Sequence, residues 1–184
     1  MQIESATHSS ERPRNGAAKT AAVTTPPTTV EGLVALDTDT LAALYAGAAV
    51  PKLERIAGDL RGRMLAWQGA TGLFAGAVRT LGSWDHFPWR GKSFTPRHSE
   101  AGEGINRVFS DRWKLFQFTT FVGPSRAGDF QSVQLDYDHP TNPFFIRAIK
   151  DEIRELSPGL FLGQAYLQLG QTERLVLYFG LQQR

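Results

Sequence analysis

The chain has 184 residues, of which 20 are basic and 18 acidic, for a formal net charge of +2. So small an excess makes no electrostatic footprint for nucleic acid, and no apolar run reaches the ~18 residues that a membrane helix needs. Cysteine is absent, which excludes disulfides, thiolate metal sites and a cysteine nucleophile.

Residues 1–30 have no aromatic side chain and are rich in Ser, Thr, Ala and Pro. Such a segment cannot bury enough apolar surface to offset the entropy of ordering, so it is expected to be a disordered tail before a single domain over 31–184. The tail is read as solubilising, with partner docking as its other use. Nothing near the start has the charged-then-apolar pattern of a secretory signal, so a cytoplasmic location is expected.

Asp37-Thr38-Asp39-Thr40 offers helix caps. Leu41, Leu44 and Tyr45 follow at helical spacing, so a short helix is predicted to about Gly47, and a further turn from Pro51 through Ile56. The period then changes to two, and residues 59–67 are predicted as a strand. Leu73, Phe74, Ala77, Val78 and Leu81 suggest a small-residue helix over 69–81. Strands are predicted at about 90–95, 104–109, 112–122, 130–137, 160–168 and 174–182. Between the last two pairs of strands, Asn142 and Pro143 offer a helix start, and Phe145, Ile149, Ile153 and Leu156 an apolar stripe. An amphipathic helix is therefore predicted over 142–156, with Lys150, Asp151 and Arg154 on its solvated side and Ser157-Pro158-Gly159 as its stop.

Sequential strands with short connections pair as antiparallel neighbours, and closing such a sheet removes its edges. The expected class is α+β, mainly β: an antiparallel sheet curled into a small barrel, with N-terminal helices and one inserted amphipathic helix. Phe87-Pro88-Trp89-Arg90-Gly91-Lys92-Ser93-Phe94 resembles the opening strand, x-x-W-x-G-K-x-F, of the bacterial GXWXG-type domains, which are similar to lipocalin-like (calycin) barrels. Gly82-Ser83-Trp84 also matches the short G-x-W at the start of lipocalin barrels, where the Trp closes one end. The resemblance implies a barrel, and a barrel of about eight strands is of a size that can hold one small ligand.

Several groups invite a chemical reading. Asp136, Tyr137, Asp138 and His139 are the densest ionisable run. As a functional cluster, Asp136, Asp138 or His139 would move a proton and Tyr137 would donate a hydrogen bond. As turn residues, the same side chains would satisfy backbone donors before Pro140. Trp84, Trp89, Phe116 and Phe118 would line a pocket or fill a core. Gln134, Gln164 and Tyr166 sit on strands otherwise rich in apolar residues, and a polar group on a buried face needs a partner, which in a barrel can be a ligand. Arg90 and Lys92 suit a carboxylate or other small anion. The histidines have no metal-ligand spacing, and no nucleotide-binding or nucleophile-elbow motif is present.

The first expectation is a module that binds a small, mostly apolar molecule, with no cofactor, metal, nucleic acid or membrane. The second is a cofactor-independent enzyme of cyclase or isomerase type on the same scaffold. The third is an accessory protein that holds a protein partner through its tail or the helix at 142–156.

Overall fold

The computed structural model describes residues 27–68, 89–109 and 113–183. The helix expected over 69–81, together with Trp84 and residues 1–26 of the expected tail, lies outside them. Eight antiparallel strands close a barrel in which each pairs with its neighbour in sequence and the last returns to the first. They are β1 (Gly58–Trp67), β2 (Trp89–His98), β3 (Ala101–Val108), β4 (Trp113–Pro124), β5 (Gln131–Asp136), β6 (Ile149–Ser157), β7 (Leu160–Leu169) and β8 (Thr172–Gln183). The mainly β, antiparallel barrel expected from strand spacing is the observed fold.

The helix predicted over 142–156 is corrected. Only one turn, α3 (Phe144–Arg147), is helical, and β6 follows at once. Ile149 and Ile153 satisfy a helical period and an alternating one equally well, because four is close to one helical turn and also even. The neighbours decide. β6 pairs with β5 through Leu135↔Asp151 and with β7 through Asp151↔Ala165, and these two ladders hold it extended. Ser157-Pro158-Gly159 is therefore a hairpin turn, with Gly159 at φ +79°. No helical face exists at 150–156 for a partner to grip.

The short helices lie before the barrel. Thr29 caps α1 (Val30–Val34) and Asp37 caps α2 (Thr38–Gly47), each accepting a backbone N–H from its first turn. Val30, Leu33, Leu41 and Tyr45 pack with Leu160, Leu162 and Tyr178 on the outer face of the wall. Val30 is fully buried there, so the ordered domain reaches back into the segment read as tail. A 3-10 turn (Leu53–Ile56) then leads into β1, and its Leu53 and Ile56 are buried in the barrel core with Leu60, Phe161 and Leu181.

That turn closes one end of the barrel. At the opposite end, β1 finishes, β2 begins and β6 begins. The side chains packed against the core there are only partly buried: Met64, Trp89, Phe116, Phe145, Ile149 and Val176. Between the two ends lies a polar group that an otherwise apolar interior must accommodate.

Candidate functional site

Lys92 points into the barrel from β2. Alternation places Phe94 inside with it, and the register shift between Trp89 and Gly91 leaves Arg90 at the exposed surface. Gly91, between them, has φ +127°, and a Cβ there would lie 2.0 Å from the Leu60 carbonyl. Only glycine lets β1 and β2 approach so closely.

Groups from β3, from the end of β5 and from β6 converge on the Lys92 ammonium. Its three donors are all used: Asn106 Oδ1 of β3 at 2.9 Å, Tyr137 Oη just beyond β5 at 2.5 Å, and Asp151 Oδ2 of β6 at 3.0 Å. Tyr137 donates to Asp151 Oδ2 at 3.1 Å and accepts from Asn106 Nδ2 at 3.0 Å. Asn106 also accepts from Trp89 Nε1 at 3.0 Å and donates to the Phe116 carbonyl. Phe116 (φ +62°) is the extra residue where the β3–β4 register shifts, so a bulge turns its carbonyl toward Asn106. One polar atom is left over. Among the described residues, Asp151 Oδ1 is buried without a hydrogen-bond partner.

Aromatic rings surround this group. The Lys92 nitrogen lies 5.1 to 5.4 Å from the ring centroids of Trp89, Phe118, Tyr137 and Phe179, a range in which ring faces attract a cation. Glycines make room for three of these rings. A Cβ would lie 2.5 Å from Trp89 at Gly62, 2.3 Å from Phe118 at Gly104 and 2.2 Å from Phe179 at Gly163. Lys92 is 3% exposed and Asp151 4%. Desolvation pulls Lys92 below the usual lysine range, opposed by the charge and hydrogen bond of Asp151. Desolvation and the same carboxylate push the Tyr137 phenol well up. A lysine amine, a carboxylate and a phenol are thus buried side by side, joined by the Lys92–Tyr137 and Tyr137–Asp151 hydrogen bonds.

The residues singled out from the sequence divide. Lys92, Tyr137, Trp89 and Phe118 meet in this buried group, and Phe116, partly buried against the core, accepts from Asn106 through its carbonyl. Asp136, Asp138 and His139 do not join them. Asp136 pairs with Lys150 at 2.5 Å and Asp138 with Arg147 at 2.5 Å on the outside, while His139 meets the Thr141 hydroxyl. Tyr137 faces inward because Val133 and Leu135 do, and strand alternation sends Asp136 outward. Arg90 reaches the Phe109 carbonyl at the surface.

Gln134, Gln164 and Tyr166 are buried, but on the outer face of the wall. Gln134 and Ser132 donate to Glu152, which also accepts from the Ser125 hydroxyl and the Arg126 N–H of the β4–β5 loop. Arg126 bridges on to Glu173 at 2.7 Å, and Tyr166 donates to Gln164 at 2.6 Å. Glu152 and the β4–β5 loop supply the partners of Gln134, while Gln164 and Tyr166 partner each other. Asn106 and Asp151 were missed. Asp151 was hidden by the helical reading of 142–156. The pattern Ile149-x-Asp151-x-Ile153, an acid between two β-branched residues at period two, was the available signal.

No family model and no curated protein matches the chain. It is similar to a solved structure described as a protein from Thermomonospora curvata, at 18% identity and a TM-score of 0.48, over 81% of this chain and 88% of that one. Among the described residues, no three or more His, Cys, Asp or Glu side chains are grouped to hold a metal, and no helix is long and apolar enough to cross a membrane.

Proposed function

We propose that the barrel binds a small, mostly apolar molecule that carries one polar oxygen function. The observation that supports this reading is Asp151 Oδ1, a buried acceptor without a partner among the described residues, inside an aromatic-walled barrel. A buried acceptor left unsatisfied costs ~1–3 kcal/mol, and a ligand hydroxyl returns that energy on binding. Trp89, Phe116, Phe145 and Ile149, partly exposed at the end away from the 3-10 turn, give such a ligand apolar surface at the entrance. The resemblance of residues 87–94 to the opening strand of GXWXG-type domains, which are similar to lipocalin-like barrels, agrees with a barrel, and an eight-stranded barrel can hold one small ligand.

Calorimetric titration with octanol, and with a methyl ether of equal length that accepts but cannot donate, tests the reading. Octanol should bind about tenfold more tightly, the factor that ~1.4 kcal/mol gives. That preference should vanish in the Lys92→Met/Asp151→Leu double variant, which removes the acceptor without stranding a charge. Equal affinity for alcohol and ether in the unmodified protein, or no binding of either, overturns the reading.

A further inference from the structure

We propose that Lys92 is a carbonyl-reactive amine, which condenses with an apolar aldehyde or ketone in the barrel to form a protonated imine with Asp151 as counter-ion. The inference rests on the reading of the barrel as a ligand site and specifies the ligand's oxygen function.

The argument is geometric. A lysine inside an apolar barrel has no need of a phenol and a carboxylate if it serves packing alone; a methionine would fill the same space without a charge to compensate. Here the amine has both within hydrogen-bond reach, Tyr137 Oη at 2.5 Å and Asp151 Oδ2 at 3.0 Å. Those two oxygens are themselves 3.1 Å apart, so a proton that leaves the ammonium has an acceptor at once. Removing an amine from water disfavours its charged form, which makes the nucleophilic free base accessible. The rings of Trp89, Phe118 and Phe179 exclude the water that would hydrolyse an imine.

The step balances. The ammonium gives one proton to Asp151. The free amine attacks the carbonyl carbon, a C–N bond forms, and the carbonyl oxygen receives the second nitrogen-bound proton to give a carbinolamine. Asp151 Oδ1, the acceptor without a partner, can take the hydrogen bond of that new hydroxyl. Asp151 then returns its proton to the hydroxyl, the C–O bond breaks, and one water leaves. A protonated imine and a carboxylate remain, so ammonium plus carbonyl has become iminium plus water with no change of charge. Tyr137 holds the carboxylate and the nitrogen in place throughout.

The other lysines among the described residues differ. Lys52 and Lys114 are exposed, and Lys150 is paired with Asp136 on the outside of the wall. A water-borne aldehyde meets those three more easily, so modification confined to Lys92 reports the barrel and not general accessibility.

The test is to incubate the intact protein with nonanal and cyanoborohydride and map adducts by peptide mass spectrometry. The expected result is one adduct per chain, at Lys92, suppressed at least tenfold by excess nonanol and absent from Lys92→Arg. If Lys92→Arg does not fold, the nonanol competition on the unmodified protein decides alone. Adducts spread over Lys52, Lys114 and Lys150 with none favoured at Lys92 overturn the inference. Tight binding of nonanol without an adduct at Lys92 overturns the imine chemistry and leaves the barrel as a binding site. Failure of nonanol to bind, together with no adduct, removes both.

Discussion

The Lys92 ammonium and the Asp151 carboxylate meet 3.0 Å apart across the barrel interior, carried by β2 and β6, which are not neighbours in the sheet. The contact is a tie across the lumen, between strands that share no backbone ladder with each other. Removing one partner leaves a buried charge uncompensated.

Lys92→Met should therefore destabilise the protein by about 3–5 kcal/mol, while Lys92→Met/Asp151→Leu should recover most of that loss. Urea denaturation of the two variants measures the difference. A single variant as stable as the unmodified protein would show that water reaches Asp151.

Alkaline pH gives a second handle. All four tyrosines of the chain, Tyr45, Tyr137, Tyr166 and Tyr178, are buried, and desolvation is the first cause raising each phenol above its ordinary 10.0. Glu152 adds to it for Tyr45 and Tyr166, and Asp151 for Tyr137. The native state keeps protons that the unfolded chain releases, so this stabilisation is complete below pH 10.0 and is lost as pH rises beyond it. Lys92 acts in the opposite sense. Its pKa is lowered from 10.5, so its own contribution grows with pH up to about that value. Tyrosinate absorbance should stay low until the circular dichroism of the sheet collapses, and the two should then change together. Tyrosinate that grows near pH 10 while the sheet is intact would contradict the burial.

How much of this was legible in the sequence varies with the element. Strands with alternating residues, such as Val133-x-Leu135-x-Tyr137, were readable because the local pattern and the final environment agree. The fate of Asp151 was not. Its flanking isoleucines fit two periods, and what separates them is pairing with Leu135 and Ala165, residues 16 and 14 positions away. Gln134 and Gln164 posed the related problem that alternation defines two faces without saying which is the lumen. Only the helices packed outside, with Tyr45 and Leu41 against Leu162, fix that choice. The motif Trp89-x-Gly91-Lys92 carried the most information, because its glycine and its lysine both have geometric reasons to be there.

Two glycine substitutions should move stability in opposite directions. Gly91→Ala places a Cβ 2.0 Å from a backbone oxygen of β1 that cannot give way, and it should cost about 3 kcal/mol or more. Gly47→Ala, at the end of α2 with no atom within 4 Å of the added methyl, should stabilise by about 0.5–1 kcal/mol. Thermal melts of the two variants give the comparison, and equal melting temperatures would contradict the close β1–β2 approach.

The carboxylate of Glu152 gathers donors from Ser125, Arg126, Ser132 and Gln134. Glu152→Gln turns one acceptor oxygen into a donor facing other donors, and should cost about 2–3 kcal/mol. The same change should speed amide exchange in residues 125–130 ahead of the rest of the sheet. Uniform exchange across the chain would mean that the loop is held by something else.

The pairing of β8 with both β7 and β1 has a consequence for synthesis. A ribosome makes β1 long before its second neighbour exists. Until β8 has emerged, the nascent chain is a curled ribbon with two unpaired margins, able to join the margins of other nascent chains. Phe179, which shields Lys92 from water, arrives on the same last strand. The ionic tie across the lumen is thus wet while the protein is being made and dries only when the ring closes. Cells that make this protein should show a narrow interval, set by the emergence of a single strand, in which chaperone capture and aggregation compete with folding.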